Sequence, residues 1–60
     1  MCEFTVFLNG EIVCRDIVYA KTERNKVLLK DVLGVAKIVE DCKIAEVDVS
    51  SERLVLQSSK

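Results

Sequence analysis

The sequence predicts an all-β protein, a small antiparallel β-barrel of about six short strands that forms a single domain over residues 1–60. Two observations support this prediction. Apolar and polar residues alternate with a period of two in several segments, and residues typical of turns separate these segments at intervals of about ten residues. This spacing is typical of small barrels and curled sheets. Closure into a barrel would also hide the edges of such apolar strands.

The first two strands are predicted as a hairpin. Residues 2–9 place an apolar side chain at every second position, as a strand with one buried face does. Asn9-Gly10 supplies the two residues with positive φ that a type I′ turn requires. The second strand, Glu11–Cys14, then pairs back, and Arg15-Asp16 form a bend or bulge before a further strand at Ile17–Ala20.

The middle of the chain allows two interpretations. Lys21–Asn25 is polar and predicts a loop, and Lys26–Lys30 predicts a strand. Residues 32–39 carry apolar side chains at helical spacing, so an amphipathic helix remains an alternative. The glycine in the middle of this segment and its β-branched residues favour a second hairpin, with a turn at Asp31–Gly34 and a strand at Val35–Glu40.

The last part of the chain predicts two more strands. Ile44–Val49 alternates, and Ser50–Glu52 forms a turn before a final strand at Arg53–Gln57. In the alternating strand, one face carries Ala45, Val47 and Val49, and the opposite, solvated face carries Glu46 and Asp48.

The small size of the chain predicts self-association. Half of the 60 residues are hydrophobic and 32% are charged, which is typical of an ordered domain. Domains of this size usually need disulfides, a metal ion or a partner subunit for stability. Three cysteines allow at most one internal disulfide, and without a CxxC pair they do not predict a closed zinc site. We therefore expect a homodimer.

The composition also bounds location and activity. No stretch is long and apolar enough for a membrane span, and no signal peptide is expected. Apparently unpaired cysteines suit a reducing compartment, so we expect a cytoplasmic protein without a membrane partner. The chain has no histidine and only two glycines, which stand apart, so it lacks the residues for Cys-His or Ser-His catalysis and for a glycine-rich phosphate loop. We expect that it is not an enzyme.

Cys2 is the candidate metal ligand. Cysteine is small enough for the preceding Met1 to be removable, and the α-amine and thiolate could then chelate one ion. Nitrogen and thiolate donors in a plane suit Ni(II) or Cu(II). While Met1 is retained, the α-amine of Cys2 is not available, and the thiolate and the main chain would have to supply the donor atoms for the metal. The alternative is that Cys2 only begins the buried face of strand one. For Cys14 we expect core packing, and for Cys42 a partly exposed place near a turn.

A nucleic-acid interface is the alternative functional hypothesis. The candidate residues form a basic cluster: Lys21, Arg24, Lys26 and Lys30. Phe7 and Tyr19 are candidates for stacking on bases, as in other small barrels that bind single strands. A net charge of −1 and an isoelectric point near 5.3 disfavour this hypothesis, because contacts to phosphates normally dominate such affinity.

Nearly the whole chain, residues 1–57, resembles the CooT-type proteins. The similarity is carried by the opening MC, by IVCRDIVYAK, by VLLKDVLGVAKIVED and by the closing KIAEVDVSSERLVL. The resemblance implies a small cytoplasmic homodimeric β-barrel that binds Ni(II) and assists maturation of the nickel enzyme carbon monoxide dehydrogenase. It implies that Cys2 of each subunit holds the metal at the dimer interface. Members of this family have also been labelled as predicted RNA-binding proteins.

Overall fold

The computed structural model describes residues 3–58, and these form six strands and no helix. The all-β prediction is confirmed, and the helical alternative for residues 32–39 is wrong. In chain order, the strands are β1 (Phe4–Leu8), β2 (Glu11–Glu23), β3 (Lys26–Asp31), β4 (Ala36–Glu40), β5 (Cys42–Asp48) and β6 (Arg53–Ser58).

The strands form one sheet in the order β4-β3-β2-β1-β6-β5. Four of the neighbouring pairs are antiparallel, but the first strand β1 and the last strand β6 are parallel. The prediction of a purely antiparallel sheet is therefore wrong for this pair. A parallel pairing requires a long crossover connection, which β2 to β5 provide here.

Strand β2 is long and bent, and it joins the two halves of the sheet. Its first half pairs with β1 and its second half pairs with β3, with shifts of register on both sides. The predicted irregularity at Arg15-Asp16 is confirmed, since Asp16 has a φ of 58° and the β1–β2 register shifts there. Such bulges bend a strand and increase its twist. The predicted loop at Lys21–Asn25 is wrong, because β2 continues to Glu23 and only Arg24 and Asn25 form the turn.

Barrel closure is not confirmed, since β4 and β5 form the two edges of the described sheet. Asp41 is the only residue between these strands, and its φ is 58°. One residue is too short for the usual hairpin loop, so β5 leaves in another direction instead of pairing with β4. The Nζ of Lys37 in β4 donates a hydrogen bond to the carbonyl of Val13 at 3.0 Å, which ties this edge to β2.

The core is small and lies inside the curved sheet. The buried hydrophobic residues of the described chain are Val6, Ile17, Val27, Leu29, Cys42, Leu54 and Leu56. Cys42, at the start of β5, donates its backbone N–H to the carbonyl of Asn25 at 3.0 Å, which holds β5 against the β2–β3 turn. The expectation that Cys42 is partly exposed is therefore wrong.

Candidate functional site

Cys2, the predicted metal ligand, lies outside the described residues 3–58. The first strand that follows it, β1, begins at Phe4, whose side chain is partly buried against the core.

The two other cysteines sit in the folded sheet. Cys14 is partly buried and packs against the core, as predicted. Cys42 is fully buried, and its thiol donates a hydrogen bond to the carbonyl of Val39 at 3.3 Å. Burial raises the pKa of the Cys42 thiol, and the charge of Asp41 raises it further. A neutral thiol is a poor metal ligand, because the thiolate is the form that binds.

Within residues 3–58, no three side chains of the metal-binding types come together in a group that could hold an ion. The Glu46 carboxylate lies 3.5 Å from the Arg53 guanidinium, and the Asp48 carboxylate accepts hydrogen bonds from Ser50 and Ser51 in the β5–β6 turn. Glu46 thus forms a surface ion pair and Asp48 stabilises the turn, in agreement with the solvated face that the sequence predicts.

An apolar groove opens beside the start of β1. It encloses about 210 Å³, and its walls come from four strands. Its lining includes Phe4, Ile17, Val18, Ala20, Ile44 and Val47, and no charged residue is among its described lining residues. Val18 is 53% exposed and Val47 is 55% exposed, so the rim of the groove presents large apolar side chains to solvent.

This groove was not predicted from the sequence. Its signal is the run Ile17-Val18-Tyr19-Ala20, in which neighbouring residues on both faces of the strand are apolar or aromatic. A strand with one solvated face should alternate between apolar and polar residues, and this run does not.

The basic residues of the alternative hypothesis are brought onto one side of the sheet. Tyr19 pairs with Lys30, and Lys21 pairs with Leu28 across the β2–β3 ladder. Paired residues and every second residue share a face. Lys21, Lys26 and Lys30 therefore lie on the outer face with Tyr19, and the Lys30 ammonium stands 5.2 Å from the ring centre. Arg24 occupies the adjoining turn.

Acidic residues are interleaved with this basic cluster. The Lys21 ammonium lies 3.1 Å from the Glu23 carboxylate, and the hydrogen bond to Glu23 raises the pKa of Lys21. Lys26 stands between Glu23 and Glu40 in the two ladders. Arg24 and Lys26 also share a cleft of about 310 Å³ with Glu23, Glu40 and Asp41. The cluster is thus largely neutralised by its own neighbours.

The family model of the CO dehydrogenase accessory protein CooT matches residues 1–57, almost the entire chain. The chain belongs to the CooT family. The match includes position 2 and all the strands except the end of β6. Membership of CooT implies an accessory protein for CO dehydrogenase and agrees with the expectation that the chain is not an enzyme. No curated protein sequence matches the chain. Over residues 3–58, no helix is present that could cross a membrane.

Proposed function

We propose that this protein is a nickel-binding homodimer that acts as a metallochaperone or metal sensor in the maturation of carbon monoxide dehydrogenase. The observation that carries the proposal is the CooT family match, which begins at residue 1 and includes Cys2. Ni(II) is the cargo, and the client is a nickel enzyme. The proposal places the protein in the cytoplasm, where free thiols persist.

The placement of the thiols supports Cys2 as the ligand. Cys42 is fully buried with a raised pKa, and Cys14 is partly buried against the core. Neither belongs to a group of three or more metal-binding side chains among the described residues. Cys2 precedes the sheet and is the remaining thiol.

The number of donors supports a dimer. One chain brings a single Cys2, which is too few donors for a firm site. Two chains related by a twofold axis bring two thiolates, and main-chain nitrogens complete four-coordination. Planar nitrogen and sulfur donors favour Ni(II) over tetrahedral zinc. Because the thiol must lose its proton, affinity for Ni(II) should rise with pH toward the usual thiol pKa of about 8.5.

A Cys2→Ser variant tests this proposal. We expect the variant to fold as the parent does, because residue 2 precedes the first strand, and to lose the thiolate-to-nickel absorption band. The parent should bind one ion per two chains in a titration of the reduced protein. Cys14→Ser is the matched control: it should keep the band and lose stability, because Cys14 packs against the core. Equal nickel affinity of Cys2→Ser and the parent would place the site elsewhere.

RNA binding is the second candidate, and one observation favours it: the ladder register gathers Lys21, Lys26 and Lys30 with Tyr19 on one face. The acidic residues between them weaken this candidate, because a phosphate backbone would meet carboxylates as well as ammonium groups.

A further inference from the structure

The turn between β3 and β4 differs from the other turns of the described sheet in its side chains. Residues 32–35 read Val-Leu-Gly-Val and carry no polar side chain, whereas each of the other connections contains at least one polar or charged residue. Leu33 is 84% exposed, and Val32 and Val35 are also exposed. Turns are normally polar, and a run of exposed apolar residues indicates a contact with another molecule.

The backbone of this turn is held by hydrogen bonds at every N–H group. Of the five N–H groups of residues 31–35, two donate to Oδ1 of Asp31 and three donate to backbone carbonyls. One of these bonds, from Val32 to the carbonyl of Asp16 at 3.0 Å, ties the turn to the bulge of β2. The turn therefore presents Leu33 in one position before a partner arrives, and binding there loses little conformational entropy.

Charged residues flank the apolar turn. Arg15 and Asp16 in the bulge of β2 are exposed, and so is Lys30 near the end of β3. The carboxylate of Asp31 is already bonded to the turn, so this rim presents two cations and one other carboxylate. An apolar centre with a charged rim is typical of an interface between proteins. A partner surface that complements it has an apolar pocket with acidic residues at its edge.

The shape of the turn and the family of the chain indicate the partner. A single protruding leucine fits a concave site, whereas a twofold contact would set this protrusion against its own copy. An accessory protein of CO dehydrogenase has to recognise its client. We propose that Leu33 is the anchor by which this protein docks into an apolar, acid-rimmed pocket on the nickel enzyme that it serves. This inference rests on the proposed function, in which carbon monoxide dehydrogenase is the client.

Serine substitutions test the turn, with Val49→Ser as the matched control. Val35 is 60% exposed beside Leu33, and Val49 is 61% exposed in the β5–β6 turn. Isothermal titration calorimetry measures dissociation constants for purified, nickel-free carbon monoxide dehydrogenase, and circular dichroism checks the fold of each variant. We expect Leu33→Ser to raise the dissociation constant at least about tenfold and Val35→Ser by a smaller factor, because each loses apolar contact area. Val49→Ser should stay within about threefold of the parent, as surface changes usually do.

A second pair of variants tests the fixed position of Leu33. Asp31→Ala keeps the leucine but removes the acceptor of two backbone N–H groups, so it should weaken binding to the enzyme by about threefold or more. Asp31→Asn keeps an oxygen that can accept both bonds and should bind as the parent does. Equal binding by these two variants would contradict the role of the rigid turn in docking.

The outcomes separate the turn from the nickel proposal. Folded Leu33→Ser that binds the enzyme as tightly as Val49→Ser would overturn the docking assignment, while the loss of nickel in Cys2→Ser would still support the proposed function. If sedimentation showed that Leu33→Ser changes only the association of the chain with itself, the turn would be a contact between copies and the assignment would be wrong. A parent that binds nickel but not the enzyme would also overturn the assignment, and would favour a metal sensor over a metallochaperone.

Discussion

Cys42 has the chemistry of a core residue rather than of a reactive thiol. Its side chain is fully buried, its thiol donates to the Val39 carbonyl, and burial raises its pKa. Cys14 is only partly buried, although it also packs on the core. From the sequence we expected Cys42 to be partly exposed near a turn, because Asp41 and Lys43 flank it. Which face of a strand a residue occupies depends on pairing, which neighbouring charges do not reveal.

We expect Cys42 to react with N-ethylmaleimide at least about tenfold more slowly than Cys14 in the folded protein, and at a similar rate in urea, because its labelling requires local opening. Peptide mass spectrometry measures both rates in one sample. Equal labelling of Cys14 and Cys42 in native buffer would contradict the assignment of Cys42 to the core.

The raised pKa of Cys42 also predicts how the stability of the protein depends on pH. Since folding raises the pKa of Cys42, the contribution of its neutral thiol to stability is present below the thiol pKa of the unfolded chain, about 8.5. That contribution should be lost as pH rises above this value, and Cys42→Ala should lack this loss.

At the scale of elements, the β3–β4 turn is fixed by one carboxylate. Oδ1 of Asp31 accepts hydrogen bonds from the backbone N–H of Leu33 at 2.9 Å and of Val35 at 3.0 Å. Gly34 has a φ of 86°, where other residues are strained. The turn therefore holds Leu33, which is 84% exposed, in a defined position.

We expect Asp31→Ala to lower the free energy of unfolding by roughly 1–2 kcal/mol, because two N–H groups lose their acceptor. Asp31→Asn is the matched control, since its amide oxygen can accept both bonds, and it should stay close to the parent. Urea denaturation followed by circular dichroism measures both variants. If the two substitutions cost the same, the charge of Asp31 matters more than its hydrogen bonds to the turn.

Local residue chemistry predicted the short turns correctly but not the full length of strand β2. Asn9 and Gly10, with φ values of 54° and 82°, form the predicted type I′ turn, because two adjacent residues determine it. The end of β2 was missed, since Lys21–Glu23 is polar enough for a loop and only its pairing with β3 makes it a strand. In β5, a shift of register between Ile44 and Glu46 interrupts the predicted alternation, and both Ile44 and Val47 pair with buried leucines of β6, Leu56 and Leu54.

At the scale of the whole molecule, strand order is the property that periodicity could not predict. The parallel pairing of β1 with β6 joins the first and the last strand of the described residues, and β4 and β5, which Asp41 alone connects, form the open edges. Instead of closure, the edges carry charged residues, among them Lys37 and Lys43, which discourage pairing with other chains. The prediction of Cys2 as a ligand needed the family resemblance, and it stays a prediction.

The charge distribution of the outer face predicts weak binding to nucleic acid. Lys21, Arg24, Lys26 and Lys30 contribute four positive charges there, and Glu23, Glu40 and Asp41 contribute three negative ones. Because neutralising phosphates supplies most non-specific affinity, we expect a fluorescent single-stranded RNA to bind no more tightly than about 10⁻⁴ M at physiological salt.

A Glu23→Gln/Glu40→Gln double variant tests the electrostatic reason. Removing two carboxylates beside Lys21 and Lys26 should strengthen RNA binding and steepen its dependence on salt, because more phosphates can then be neutralised. Lys26→Glu/Lys30→Glu is the matched control and should abolish whatever binding remains. This face would be an RNA interface if the parent bound RNA with micromolar affinity and the salt dependence of that affinity showed several phosphate contacts. Lys26→Glu/Lys30→Glu would then have to remove both the affinity and its salt dependence. The outer face of β2 and β3, rather than Cys2, would then carry the main function of the protein.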